Sequence, residues 1–420
     1  MNGMEGSREK TPDWLFPPLS RQAQELLDDF PGLLAKVWPL KKSHAESLPR
    51  DIAELSTLLT SSRSGLDIPY WSKPGFISAY LYYFMPWNLL RICRLLEGLP
   101  LQAPVQKDGK SPVLLDLGAG PLTVPLAMWI AREDWRRLPL VVAACDKSPQ
   151  PLRLGLELFQ TLAAKTGVEP WKARLEKASL KKLRWPEFRD SGRYLWLATL
   201  ANVFNEVMEG HRRNKRVADE EIVPLEEFFA SADAAGCGSI LIVEPGTRQG
   251  GTLVALLRRL ALEHGFHPAS PCTHSGRCPL DDPAGRQGLS GYGDSWCHFT
   301  FAADGAPAWL VALSRKAGLE KRSLSLAPLL LERKQQPENR CLRVISRPFK
   351  TAYGNNSRYA CGSQGLGLLP EAADLPNGSR IVAQPTKERD VKSGAVIYAE
   401  NRAKTERRPA ESRRRSRKKN

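Results

Sequence analysis

Three cysteines in this chain stand in sequence that packs no core. Cys272 and Cys278 lie in Pro271-Cys272-Thr273-His274-Ser275-Gly276-Arg277-Cys278-Pro279-Leu280, and Cys297 lies in Trp296-Cys297-His298-Phe299. A structural cysteine normally sits inside an apolar run, as Cys145 does at 140–145. Thiols among prolines, glycines and histidines point instead to a metal or to disulfides. Met1–Ser20 has no apolar stretch of the kind a secretory signal needs, and it carries Glu5, Glu9 and Asp13 where an organellar leader is poor in acids. No run approaches the roughly 18 apolar residues of a membrane span. The expectation is a cytoplasmic protein with no membrane partner, in a reducing compartment that disfavours disulfides and leaves the thiols for metal. Spacing leaves two metals open. Zinc takes four thiolates, or a histidine such as His274 or His298 for one of them, but favours closely spaced cysteine pairs. Iron–sulfur clusters take four thiolates, and Cys278-Pro279 has the form of a ferredoxin ligand.

A second constellation suits a nucleotide-type cofactor. In Asp116-Leu117-Gly118-Ala119-Gly120 the glycines let a ligand approach the backbone at the start of a helix. Asp146 ends the next apolar run, where a carboxylate accepts ribose hydroxyls, and Asn202 ends a third. A dinucleotide fingerprint requires a further glycine, and Pro121, Leu122 and Thr123 stand there instead. That argues against NAD and for S-adenosylmethionine, whose sites need only the shorter acidic-x-Gly-x-Gly turn. The candidate cofactor-binding residues are therefore Asp116, Gly118, Ala119, Gly120, Asp146 and Asn202. Ala201-Asn202-Val203-Phe204-Asn205-Glu206 stands where base-modifying methyltransferases carry an Asn-Pro-Pro-aromatic motif, without its prolines. Asn202 and Glu206 either line the pocket or cap a helix. No nucleophile–base pair stands out, so the catalytic residues stay unassigned.

The elements that must position these groups read from hydrophobic pattern. The first 105 residues look helical: Leu26, Leu27, Phe30, Leu33, Leu34 and Val37 recur at helical spacing, and Leu89–Leu96 forms another amphipathic run. The aromatics from Tyr70 to Trp87 read as core against the next unit. From Ser111 the rhythm becomes strand, glycine turn, helix. Val113–Gly118, Leu138–Asp146, Tyr194–Ala201 and Ser239–Glu244 read as buried strands, and 122–132, 151–165, 220–235 and 251–264 as helices. The fold class is α/β, a Rossmann-like doubly wound sheet. Trp309–Ser314 and Leu342–Ser346 read as closing strands with Leu324–Glu332 a connection between them, which gives the sheet an antiparallel edge.

Net charge is +16, and half of it lies in Arg402–Asn420, where ten Lys/Arg face Glu406 and Glu411. So few apolar residues cannot offset ordering entropy, and the tail is expected to be a disordered arm. Further basic clusters lie at His211–Arg216 and Lys172–Arg184. Lysines and arginines that neutralise phosphates release counterions, so the balance favours a nucleic-acid partner.

In order along the chain, Leu115-Asp116-Leu117-Gly118-Ala119-Gly120-Pro121, Ala201–Glu206, Val243-Glu244-Pro245-Gly246-Thr247, Cys272–Leu280 and Trp296–Phe299 resemble the methyltransferase-like protein family of the small ribosomal subunit, found in mitochondria and bacteria. The resemblance runs from about Tyr70 to Cys361. It implies a Rossmann-like methyltransferase domain that binds S-adenosylmethionine. It also implies association with small-subunit rRNA and ribosomal proteins during assembly and translation, in a chain that is monomeric off the ribosome. A [4Fe–4S] cluster on four cysteines is implied as well, three of them Cys272, Cys278 and Cys297. The family's fourth cysteine follows an Arg-x-x-x-Arg-Pro strand by a short hairpin; Arg343–Pro348 and Tyr359-Ala360-Cys361 place it at Cys361, with Cys341 the competitor. The chain then divides into a helical N-terminal domain (1–105), a methyltransferase-like domain (106–265 and 300–348), a cysteine-rich metal-binding insertion (266–299), a small C-terminal β segment closing the cluster (349–400) and the basic tail (401–420). Leu122 stands where relatives commonly have glycine, a substitution expected to crowd the cofactor. Two functions follow: an assembly factor that keeps the fold, or an active rRNA methyltransferase.

Overall fold

A computed structural model describes residues 14–61, 70–179, 192–204, 219–281, 296–335, 337 and 340–399. In chain order the first helices are α1 (Arg21–Asp28), α2 (Phe30–Val37), α3 (Lys42–Ser61), α4 (Pro74–Ala79) and α5 (Met85–Gly98), with one π turn at Tyr80–Phe84. The alternating part follows as β1 (Ser111–Leu117), α6 (Thr123–Ala131), β2 (Val141–Asp146), α7 (Pro149–Thr166), β3 (Lys172–Lys177), β4 (Arg193–Ala201), α8 (Asp219–Ala234), β5 (Ser239–Pro245), α9 (Arg248–Glu263), β6 (His267–Ser270), β7 (Phe299–Ala302), α10 (Ala308–Lys316) and β8 (Ser323–Glu332). The chain then makes β9 (Cys341–Val344), β10 (Phe349–Thr351), β11 (Gly354–Gly362), β12 (Gly365–Leu369), β13 (Arg380–Val382), β14 (Gln384–Arg389) and β15 (Val396–Ala399).

The first sheet has the order β3-β2-β1-β4-β5-β8-β6, and β7 pairs with β8. β1 to β5 are mutually parallel, while β8 runs antiparallel to both β5 and β6. Near-continuous burial along β1, β2, β4 and β5 is the signature of a sheet covered on both faces. α6 is apolar all round and every residue of it is buried, because it lies between the sheet and the N-terminal helices. The N-terminal aromatics do pack as core, with Tyr83 and Trp87 each 1% exposed. Among the described residues no helix is long and apolar enough to cross a membrane.

Three strand expectations change. Trp309–Ser314 is helical, part of α10: a short apolar run carries no period that separates a strand from a buried helix, and here Leu310 and Ser314 face the core four residues apart. Leu324–Glu332 is no connection but β8, a ten-residue strand inside the sheet, so the antiparallel strand is internal rather than at the edge. Pro328 is tolerated because β7 pairs only as far as Leu326 and β6 begins at Leu330, leaving the proline opposite a gap. Leu342–Ser346 does not close this sheet. Its strand β9 belongs to a second sheet of order β13-β9-β11-β12-β15-β14, with β10 on β11. That sheet has its own core of Leu342, Val344, Ala360, Leu369, Val396 and Tyr398. The segment Trp14–Phe16 ties the two parts together: Leu15 N donates to Gly378 O at 3.2 Å, and Arg94 of α5 donates to Phe16 O at 2.7 Å.

Candidate functional site

Strand order reverses at β1 and β4, and ligands of such sheets bind beyond the carboxyl ends of the strands at that point. Gly118 and Gly120 there have φ of +64° and +51°, the left-handed region that glycine enters at least cost. A Cβ on Gly118 would lie 2.6 Å from Val203, whereas one on Gly120 would meet nothing within 4 Å. Gly120 is thus the open rim of the turn. Its N–H donates to Asp146 Oδ2 at 3.0 Å, and Ser148 N donates to Oδ1 at 2.8 Å, so two backbone groups aim the Asp146 carboxylate. Ala119 N donates to Cys145 O at 3.0 Å, fixing the turn to the end of β2.

Asp116 lies beneath this turn, 1% exposed. Thr199, its register partner on β4, donates to Oδ1 at 2.6 Å, but Oδ2 is buried without a partner. Burial pushes the carboxyl up to about 7; the Thr199 hydroxyl opposes that rise and the nearby Asp146 adds to it. An unsatisfied buried oxygen costs about 1–3 kcal/mol, a strain found at sites that await a ligand. Leu122 adopts φ +55° and caps α6, yet its side chain is fully buried and points at Gly155 of α7. It fills core against α7.

Asn202, also left-handed at φ +62°, lines a cleft of about 210 Å³ with Asn88 and Arg91 of α5, Glu244, Thr247 and Ser325. Glu244 is fully buried, and its Oε1 accepts Phe204 N at 3.0 Å. The cleft lies beyond β4, β5 and β8, on the opposite side of the glycine turn from Asp146.

The cysteines meet elsewhere. Thr273 Oγ1 donates to Cys361 O at 3.5 Å, and His274 Nε2 lies 3.4 Å from Cys361 Sγ. Burial raises the Cys278 thiol to about 11, followed by the charge of Cys272. Burial likewise pushes Cys297 and Cys361 well up, each reinforced by Cys278 and Cys272. Cys341 starts β9 and is buried. Between them stands Arg258 of α9, 3% exposed, donating to His274 O at 2.8 Å and Gly276 O at 2.7 Å. Arg343 of β9 holds the same loop from the second sheet, donating to Pro271 O at 2.9 Å. Burial and Arg258 bring His274 down to about 4, so its imidazole is neutral. Among the described residues no group of three or more His, Cys, Asp or Glu side chains is arranged to hold a metal ion.

The family described as mitochondrial small ribosomal subunit Rsm22 matches residues 77–365, well over half the chain. The chain belongs to the Rsm22 family. The match begins before α5 and ends just after Cys361, so it takes in both the glycine turn and the cysteine cluster. No curated protein matches the chain. Among solved structures, a Listeria monocytogenes protein described as a class I S-adenosylmethionine-dependent methyltransferase is 11% identical, with 76% of this chain and 90% of that one covered and a TM-score of 0.33. A TehB-like S-adenosylmethionine-dependent methyltransferase of Corynebacterium glutamicum is 13% identical, with 68% and 98% covered and a TM-score of 0.28.

In this Rsm22-family chain the structure draws Asp116, Gly118, Ala119, Gly120 and Asp146 into one turn and places Asn202 at its far side. It draws Cys361 together with Cys272, Cys278 and Cys297. Sequence reasoning missed Arg91, Thr199 and Arg258, and used Arg343 only to locate Cys361. Thr199 had one signal, its place near the end of an apolar strand; the arginines look like any others on a helix or strand. Asn205, Glu206 and the His211–Arg216 cluster lie outside the described residues, as do 180–184 of the Lys172–Arg184 cluster, most of the loop before Cys297, and the basic tail.

Proposed function

We propose that this chain is a methyltransferase-fold protein of the small ribosomal subunit that binds rRNA and S-adenosylmethionine, carries a [4Fe–4S] cluster, and acts in subunit assembly and translation. The observation that carries the cofactor reading is the turn itself: an open Gly120 beside an aimed Asp146 carboxylate, over an unsatisfied Asp116 Oδ2. The free lone pairs of Asp146 suit a ribose diol, and Asp116 supplies negative charge for an ammonium group above the turn. The internal antiparallel β8 departs from the all-parallel dinucleotide order, which agrees with the missing third glycine. When bound, the cofactor supplies an electrophilic methyl group; the chain's residues orient it and shield it from water.

Cys272, Cys278, Cys297 and Cys361 would hold the cluster. A single zinc ion needs its ligands converging on one point at about 2.3 Å. A four-iron cluster takes each thiolate on a different iron, and the support for a shared site is that Cys278, Cys297 and Cys361 each feel the charge of other thiols in the set. Arg258 offsets the thiolate charge. Because Cys361 lies on β11 and the others flank α9, the cluster would clasp the second sheet to the first and fix the surface that meets RNA. Anaerobically purified protein should be brown, contain iron and acid-labile sulfide in equal amounts, and co-purify with small-subunit rRNA. Colourless protein loaded with zinc would refute the cluster, and protein free of rRNA in ribosome-containing extracts would refute the partner. The reading as an active rRNA methyltransferase draws support from one feature, the cleft at Asn202 and Glu244 on the acceptor side of the turn.

A further inference from the structure

We propose that the cleft between α5, the carboxyl ends of β4 and β5 and the amino end of β8 is an oxyanion subsite that takes a phosphate of a nucleic-acid strand, gripped by Arg91 and backed by Lys321. This deepens the acceptor side of the function proposed above and rests on it. Asn88, Arg91 and Ile92 fall on one face of α5 at the i, i+3, i+4 spacing, and all three line the cleft. Arg91 Nη1 donates to Asn88 Oδ1 at 2.7 Å, a neutral partner, while its Nε is buried with none. A guanidinium offers five N–H donors in a planar fork, so most of its capacity is unused here. Lys321, just before β8, lies 5.7 Å from the Tyr83 ring and 6.0 Å from the Trp87 ring. Burial, and then the charge of Arg91, bring its ammonium down to about 8, and burial brings Arg91 down to about 10. Among the described residues no carboxylate shifts either cation, although the buried Glu244 lines the same cleft. Two neighbouring cations, half out of water and with no ion-pair partner among the described residues, form an arrangement that an incoming anion stabilises.

Position argues for an acceptor phosphate over the cofactor's own carboxylate. β2, β1, β4 and β5 are successive neighbours, so Asp146 and the β5 side of the cleft, where Glu244 and Thr247 lie, stand about 14 Å apart at ~4.8 Å per strand. The methionyl arm of a cofactor seated with its ribose on Asp146 falls short of that. Phosphate matches the guanidinium fork in two parallel hydrogen bonds, and a chain of net charge +16 attracts a polyanion.

The test uses the full chain, an oligoribonucleotide followed by fluorescence anisotropy over a salt series, and S-adenosylmethionine followed by calorimetry. Arg91→Met keeps the apolar stem and removes the charge. It should weaken oligoribonucleotide binding by roughly three- to tenfold and lower the salt slope by about one, as expected for one lost phosphate contact. Lys321→Met should act in the same direction, which guards against a folding defect peculiar to Arg91. Affinity for S-adenosylmethionine should not change. Unchanged RNA affinity and slope in both variants overturns the proposal. Loss of S-adenosylmethionine binding with RNA binding intact also overturns it, assigning the subsite to the cofactor's carboxylate. If wild-type chain binds no S-adenosylmethionine yet Arg91→Met still loses RNA affinity, the cofactor reading fails and the phosphate subsite stands.

Discussion

Replacing Asp116 by Asn should make the protein more stable at pH 8 than at pH 5 relative to wild type, and the magnitude follows from burial. The Asp116 carboxyl titrates at about 7 in the folded chain, chiefly because burial disfavours its charge. In an unfolded chain an aspartate titrates near ~3.9. Between these values the folded state holds a proton that the unfolded state has released, so wild-type stability falls as pH rises from about 4 to about 7 and is level above that. From pH 5 to 8 the loss from this one group is about 3 kcal/mol, at ~1.4 kcal/mol per pH unit below the folded value. Asn has nearly the same shape, keeps an oxygen for the Thr199 hydroxyl and carries no charge. Other groups titrate in both proteins, so the quantity to measure is the difference between wild type and Asp116→Asn in denaturant unfolding at each pH. That difference should move by about 3 kcal/mol in favour of the variant as pH is raised. A difference independent of pH would refute the burial argument. The same logic gives ligand binding a sign: a cation above the turn favours the carboxylate, so wild-type affinity for S-adenosylmethionine should rise between pH 5 and 7 while that of the variant stays level.

Leu122→Gly sets two effects against each other. Removing a fully buried leucine side chain costs about 3 kcal/mol or more, whereas relief of a left-handed non-glycine backbone returns about 1–2 kcal/mol, so thermal unfolding should show a net loss of about 2 kcal/mol with cofactor affinity unchanged. Arg258→Met removes a buried cation that holds the carbonyls of His274 and Gly276, and should lower the melting temperature and the iron retained per chain after anaerobic purification. Full iron content in that variant would show that the guanidinium neither positions the loop nor offsets the thiolates. Deleting 402–420 removes eight net positive charges and should weaken RNA binding and flatten its salt dependence; equal affinity at every salt concentration would make the tail a solubiliser only.

The α/β class and the glycine turn were legible because both rest on local pattern. β1, β2, β4 and β5 are apolar runs that end on the site residues, and the left-handed glycines announce themselves. The edge strand β3 was not legible, since Lys172–Lys177 is mostly polar and half-exposed and reads as a basic cluster. β8 and α10 exchanged roles because a short apolar run has no decisive period, and only pairing with β5 reveals that Ser323–Glu332 is a strand. The cysteines were singled out by their polar surroundings. What draws Cys361 to them is long-range: Arg343 on β9 reaches Pro271, and β9 pairs with β11. Arg91 and Arg258 matter for what they lack or what they face, which no local spacing records.

Cofactor binding at the turn Gly118–Gly120 is the property on which the proposed function rests. Calorimetric titration of anaerobically purified full chain with S-adenosylmethionine addresses it directly. One saturable site per chain, lost on Asp146→Ala with the fold intact, is the predicted result; no binding heat up to high micromolar cofactor would contradict it.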